Sequence, residues 1–415
     1  MAELELSAEQ RTEILDRLSY TVVDRFYDPQ LRGINWKTAV ETNRHAIVSS
    51  QSAEAFEKAV TRLLGELRTS HVGFYHHRLE RATSKMAISA TYAAFPIEHE
   101  KRWVFQDVHE GGAAYLAGIR PGDILESVEG RSFHPDEHPV FPMNSTVPVK
   151  VITKACRSEI RTVVTPPPTR KRNQLPYAQP TLVSHKRLNH EVGYLKITMY
   201  PGMVGVEIAN EILAAVGSLN PIARLIVDIR GNTGGGIGVL RLMSLLTPGQ
   251  LPVGYSVDRK QMHRLAFRDR FPVFDRIPSR KAGLIPLAFK FARRKDPILL
   301  ATEGLGDQPF HERIVLLVNR HTASANEMLV AFAKENRLAT IVGEETPGRL
   351  LAGSKFKLPY GYWVALPVGV YHTAAGYVLE GTPIEPDYPV PFEPEQAREG
   401  KDPQLETAIE IVSRL

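Results

Sequence analysis

The sequence predicts an α/β core that follows a helical N-terminal region and a small β-rich unit, and three observations carry this reading. Apolar residues at helical spacing open the chain. From about residue 86 to 165 the pattern changes to short strands divided by turns, and beyond 183 strand-like runs alternate with helical ones, as in a largely parallel sheet.

Composition narrows the field before any motif does. The 415 residues are 43% hydrophobic and 23% charged, enough for two or three domains with real cores. A formal charge of +5 with a pI near 9.1 is small for this length and is poor evidence for nucleic-acid binding. The lone Cys156 excludes an internal disulfide and a thiolate metal cluster. No run approaches the roughly 18 apolar residues of a membrane span. MAELELSAEQ has no basic stretch followed by an apolar core, so with Met1 as the start the expectation is a cytoplasmic protein.

Taken in order, Ser7 and Gln10 form a capping box, followed by Ile14, Leu15, Leu18, Val22 and Phe26 until Asp28-Pro29 stops the helix. A second helical pattern starts near Ser52, runs through Phe56, Val60, Leu63, Leu64 and Leu67, and ends in LRTSHVGF, with Ser70 and His71 just past its end. These residues make up a helical region over 1–82. Residues 83–167 hold strands at 88–97, 103–108, 124–128, 146–153 and 160–164, with a short helix and a Pro121-Gly122 turn in GGAAYLAGIRPGDILESVEGRSF. On AGIRPGDIL followed by Gly130, this unit resembles a PDZ domain of the bacterial, protease-associated kind, a module that adds peptide ends to a sheet edge as a strand. YAAFPI lacks the glycine often found in the carboxylate-cradling loop. The proline-rich, basic stretch around 168–182 reads as a stiff linker.

The region 183–415 is the α/β core. Strands are expected at 192–197, 225–229 and 314–318, and helices on Ile208, Ile212, Leu213 and Val216 and over 239–246. The strand at 225–229 runs into DIRGNTGGGIG, where glycines let backbone N–H groups approach a carboxylate, phosphate or developing oxyanion. The spacing fits neither G-x-G-x-x-G nor a P-loop. The strand at 314–318 runs through HTASANE into a helix, which places Ser324 where unpaired N–H groups and the positive dipole end favour an anion. A serine there is a nucleophile or a helix cap.

The ordered set of SH, the PDZ-like unit, DIRGNTGGG, TASANE, IVGEETPG, LEGTPIEPD and a closing helix from DPQLETAIEIV resembles the tail-specific, or C-terminal-processing, serine peptidases across nearly the whole chain. The resemblance implies a crotonase-like (ClpP/crotonase) core with an inserted PDZ-like domain. In the Ser-Lys branch of the family a lysine acts as base; the matching position here is Arg349, and a guanidinium stays protonated at any working pH. The sequence fits instead the tricorn-core-like branch, with a Ser-His-Ser-Glu tetrad. That branch implies Ser324 as nucleophile, His71 as general base, Ser70 and Glu380 as orienting groups, and Glu385 as the nearby alternative acid. The oxyanion hole would be the N–H of Gly234 or Gly235 with that of Ala325, each donor contributing about 3 kcal/mol.

The implied reaction is hydrolysis of polypeptides near C-termini or in unfolded segments, through an acyl-enzyme and without metal or cofactor, in a protein that leaves a homo-oligomer open. The rival from another class is a peptide-binding scaffold without turnover, kept alive by Arg349; lipophilic-ligand binding on the same core has fold analogy alone. His76 and His77 have no H-E-x-x-H partner spacing and read as spectators, as do His321 and His372 near the site by sequence only; Asp228 and Arg230 read as structural. Within a cap or insertion at about 253–308, the stretch 259–295 carries twelve basic residues against Asp269 and Asp275. With Phe267, Phe271, Phe274, Phe289 and Phe291 interleaved, it reads as an amphipathic cap that steers acidic peptides.

Overall fold

The computed structural model describes residues 6–78, 81–154, 157–167, 180–292, 296–306 and 313–414. Cys156 and the linker from 168 to 179 lie outside them, as do Arg293, Arg294, Lys295 and the side chains of Lys290 and Phe291.

Three helices open the chain. Ala8–Arg25 starts at the expected Ser7–Gln10 capping box, and Ile14, Leu15, Leu18 and Val22 are fully buried along it. Ala53–Gly65 is capped by Ser52. Between them lies Trp36–Val48, capped by Asn35, a helix the periodicity did not suggest because its buried residues are few. The three helices close over one face of a mostly antiparallel sheet, where Phe56, Leu63 and Val22 share a core with Phe74, Tyr362, Val364 and Leu366.

That sheet orders Gly73–His76, Tyr362–Thr373, Pro252–Asp258, Leu299–Ala301 and Val273–Phe274, with Leu351–Lys357 also paired to Tyr362–Thr373. The basic stretch is therefore not a free cap at its ends, since Pro252–Asp258, Val273–Phe274 and Leu299–Ala301 are strands of the sheet. The segment between them carries the helix Leu284–Ala292.

A second sheet is mostly parallel: Tyr388–Pro389, Thr340–Gly343, Arg313–Val318, Arg224–Asp228 and Val192–Ile197, closed by antiparallel Val183–Arg187. Its middle strands are continuous apolar runs because helices cover both faces. Val206–Leu219, Val239–Leu245 and Ala325–Glu335 contribute to the core on one face, and the closing helix Pro403–Arg414 to that on the other. The β-rich unit is a five-stranded antiparallel sheet, Ala90–Ile97, Glu100–Val108, Ile124–Val128, Thr146–Ile152 and Ser158–Val164. Residue 88, expected in its first strand, ends the short helix Ser84–Ile88 instead. The architecture is mixed α/β. No helix among the described residues is long and apolar enough to cross a membrane.

Candidate active site

Ser324 stands where the central Arg313–Val318 strand turns into Ala325–Glu335, with φ 58° and ψ −119°. A non-glycine residue in this region costs on the order of 1–3 kcal/mol and persists only where its surroundings fix it. Here they do. Asn319 accepts the Gly231 and His321 N–H groups at 3.1 and 3.0 Å and donates to Asp107 at 2.9 Å. Thr322 donates to the Ile229 carbonyl at 3.1 Å, and Asn232 O accepts the Ala323 N–H at 3.2 Å. The Ser324 N–H reaches the Arg349 carbonyl and the Glu327 carboxylate, each at 3.1 Å. The turn has the strand–turn–helix form that exposes a nucleophile.

Ser324 is also the N-cap of this helix: it forms a capping box with Glu327, whose carboxylate accepts the Ser324 N–H at 3.1 Å and whose own N–H donates to the Ser324 carbonyl oxygen at 2.8 Å. The Ser324 hydroxyl lies 3.5 Å from His71 Nε2.

His71 follows the Ala53–Gly65 helix at φ 60°. Its Nδ1 is 2.7 Å from Ser70 Oγ, which donates to Glu380 Oε2 at 2.7 Å. Glu380 also accepts the Ser70 N–H at 2.8 Å, the Thr69 hydroxyl at 3.1 Å and the Leu350 N–H at 3.1 Å. A hydroxyl has one proton, so with that of Ser70 on Glu380 its oxygen accepts from His71 Nδ1–H. The Nε2 lone pair then faces Ser324. Burial lowers the His71 pKa; Glu380 opposes this and Arg349 adds to it, and the net shift favours the neutral imidazole.

The glycine turn lies against Ser324. A Cβ on Gly234, at φ +95°, would sit 2.7 Å from Ser324 Cβ; one on Gly235, at φ +143°, would sit 2.1 Å from the Tyr200 carbonyl oxygen. Of the expected oxyanion donors, the Gly234 N–H is engaged by Asn232 Oδ1 at 2.9 Å. Those of Gly235 and Ala325 have no acceptor among the described residues.

Sequence reasoning passed over Glu327. Fully buried, it accepts from the Thr346 hydroxyl at 2.9 Å and from the Gly348 and Arg349 N–H groups at 2.6 and 2.7 Å, besides Ser324. It pegs the Ser324 turn to the 346–349 loop; its spacing three residues after Ser324 is the signal the sequence offers. Arg349 contributes its backbone to this peg while its side chain is exposed.

Other candidates fall outside the relay. Lys334 Nζ donates to the Glu385 carbonyl oxygen. His76 and His77 lie against the Tyr360 and Gly361 carbonyls at 3.1 Å, and His372 stacks on Tyr255. His321 is held under the turn with Nε2 unpartnered. Arg230 bridges buried Asp228 to Asp402 at the base of the closing helix, a structural pairing. No group of His, Cys, Asp and Glu among the described residues could hold a metal.

Comparison with known proteins places this architecture. Residues 191–390 match peptidase family S41. The chain is 23% identical over 290 residues to the chloroplastic carboxyl-terminal-processing peptidase 2 of Arabidopsis thaliana, covering 68% of this chain and 48% of that protein. It is 22% identical over 438 residues to the putative tricorn protease homolog 2 of Streptomyces coelicolor, covering 100% of this chain and 33% of that one. The photosystem II D1 C-terminal processing protease superposes with a TM-score of 0.58 at 18% identity, covering 97% of each chain. The chain thus has the fold of the C-terminal-processing proteases and carries a peptidase family S41 domain. It spans about half or less of the length of the first two relatives.

Proposed function

We propose that this chain is a serine peptidase that cleaves polypeptides through an acyl-enzyme on Ser324. The observation that carries the reading is the line from Ser324 Oγ through His71 and Ser70 to Glu380, with steps of 3.5, 2.7 and 2.7 Å. The first step is long for a hydrogen bond, and such contacts tighten when substrate binds. As Ser324 Oγ attacks the scissile carbonyl, its proton passes to His71 Nε2. The imidazolium holds its Nδ1–H on Ser70 Oγ, whose proton points to the Glu380 carboxylate. Charge on the carbonyl oxygen meets the N–H groups of Gly235 and Ala325. Collapse breaks the C–N bond and passes the proton from His71 to the leaving amine; water, deprotonated by His71, then releases the acyl group.

Arg349 stands at the position of the family's lysine with an exposed guanidinium that stays protonated, which supports the Ser-His assignment over a Ser-Lys one. The core is read as crotonase-like, and the five-stranded unit over 83–167 as an inserted PDZ-like module between the helical region 1–82 and, past the linker 168–182, the core 183–415. The names of the relatives favour turnover over a scaffold, and substrates are read as polypeptides cut near their C-termini. Mass spectrometry of a defined peptide mixture with free and amidated C-termini tests this. Cleavage present in wild type and Arg349→Lys, and lost in Ser324→Ala and His71→Ala, is expected; peptides retained by wild type without cleavage would favour the scaffold.

A further inference from the structure

The sheet that adjoins His71 has one face closed by the N-terminal helices and one left open. Phe74, Tyr362, Val364, Leu366 and Phe356 point to the helices. By strand alternation the other face carries Gly73 and Tyr75, Trp363 and Ala365, and Gly353, Lys355 and Lys357. Pairing sets them in two rows: Gly73, Ala365 and Lys355, then Tyr75, Trp363 and Lys357. A Cβ on Gly353 would lie 3.7 Å from His71 Cδ2, so the open face begins at the imidazole.

The chemistry of this face is one-sided. Near His71 its floor is small, Gly73, Ala365 and Gly353, leaving room for a backbone to lie close. Further along, Lys355 Nζ sits 5.9 Å from the Tyr75 ring centre and Lys357 Nζ 5.5 Å from that of Trp363. Gly353, Lys355 and Lys357 are exposed, as is Arg349, two residues before the strand Leu351–Lys357. No carboxylate among the described residues forms an ion pair with these three cations. Aromatic rings hold the ammonium groups in place without neutralising them, which leaves both open to an incoming anion.

We propose that this face is a bed for the substrate and selects acidic side chains in an extended peptide. The proposal rests on the peptidase reading and adds to it the substrate class. At about 3.3 Å of rise per residue, Lys355 and Lys357 stand about 7 and 13 Å along the strand from Gly353. A peptide running along the strand from Ser324 therefore brings carboxylates roughly two and four residues from its scissile bond to the two ammonium groups.

A peptide series with one cleavage site and Glu, Ala or Lys two and four residues to either side tests the proposal. On one side of the bond wild type favours Glu over Lys by about tenfold in kcat/KM at low salt. The ratio falls toward one in Lys355→Gln/Lys357→Gln and inverts in Lys355→Glu/Lys357→Glu. Labelled versions of the same peptides bind Ser324→Ala with the same ranking of Kd. Arg276→Glu/Arg280→Glu, in the basic segment, leaves the positional ratio where it was. A wild-type ratio near one, or one that charge reversal at 355 and 357 does not move, overturns the acidic bed. Absence of cleavage in wild type refutes the peptidase reading by itself, while the binding ranking on Ser324→Ala still decides the bed.

Discussion

Ser70 Oγ stands 2.7 Å from His71 Nδ1 and donates its proton away from the ring, to Glu380. The geometry makes Ser70 an acceptor toward the imidazole, so His71 carries its proton on Nδ1 and presents Nε2 to Ser324. Removing the base and removing the orienting acid should then differ. Ser324→Ala and His71→Ala are expected to lose about 10⁵-fold or more in kcat. Glu380→Gln and Ser70→Ala are expected to lose about 10²- to 10⁴-fold, since they misdirect the tautomer and leave the nucleophile. Single-turnover rates on one peptide distinguish the two classes.

The acid limb of the pH profile should sit low. Burial pulls the His71 pKa below its ordinary value, about 6.5, and the base works unprotonated, so kcat/KM climbs with pH through a midpoint below that value. Glu380 raises the pKa and Arg349 lowers it. Glu380→Gln therefore moves the midpoint further down and Arg349→Ala moves it up, and pH titration of kcat/KM reads both signs.

Glu327 should matter to both stability and rate. Glu327→Ala strands the Thr346 hydroxyl and the N–H groups of Gly348 and Arg349, which cost on the order of 3 kcal/mol together when left without an acceptor in a buried site, and leaves the Ser324 N–H only the Arg349 carbonyl. Displacement of the nucleophile turn adds a loss of about 10²-fold in kcat. Denaturant midpoints and peptide hydrolysis measure the two separately.

Gly234→Ala separates the site from the fold. Its methyl would meet Ser324 Cβ at 2.7 Å and the Ala323 carbonyl oxygen at 2.8 Å in a left-handed conformation. Activity is expected to disappear while circular dichroism stays near that of wild type.

Acid should loosen the contact between the β-rich unit and the core. His109 packs on Gly231 with its pKa lowered to about 4, by burial first and by Lys196 second. Between that value and about 6.5 the unfolded chain binds a proton that the folded chain does not. Stability is thus full above about pH 6.5 and falls as pH drops toward 4. Tm measured across this window should fall less steeply in His109→Gln.

Local signals in the sequence were read well where a few neighbouring residues decide the outcome. The Ser7–Gln10 box starts its helix, the 124–128 and 192–197 strands lie where their apolar runs put them, and the glycine turn and Ser324 come from adjacent strand ends. What was missed depends on distant partners. The mostly antiparallel sheet pairs Gly73 with Ala365 and Tyr255 with His372, contacts that no local period encodes. Glu327 looks like an ordinary capping acid until the 346–349 loop folds over it. Gly234 and Gly235 are equivalent in a glycine run, and the Asn232 side chain is what separates them.

The central claim is that His71 activates Ser324, and covalent labelling with a fluorophosphonate read by intact-mass and peptide mapping tests it most directly. The account predicts one adduct per chain, on Ser324, retained in Arg349→Ala and lost in Ser324→Ala and His71→Ala. An adduct on another serine, or equal labelling of Ser324 in wild type and His71→Ala, would contradict it.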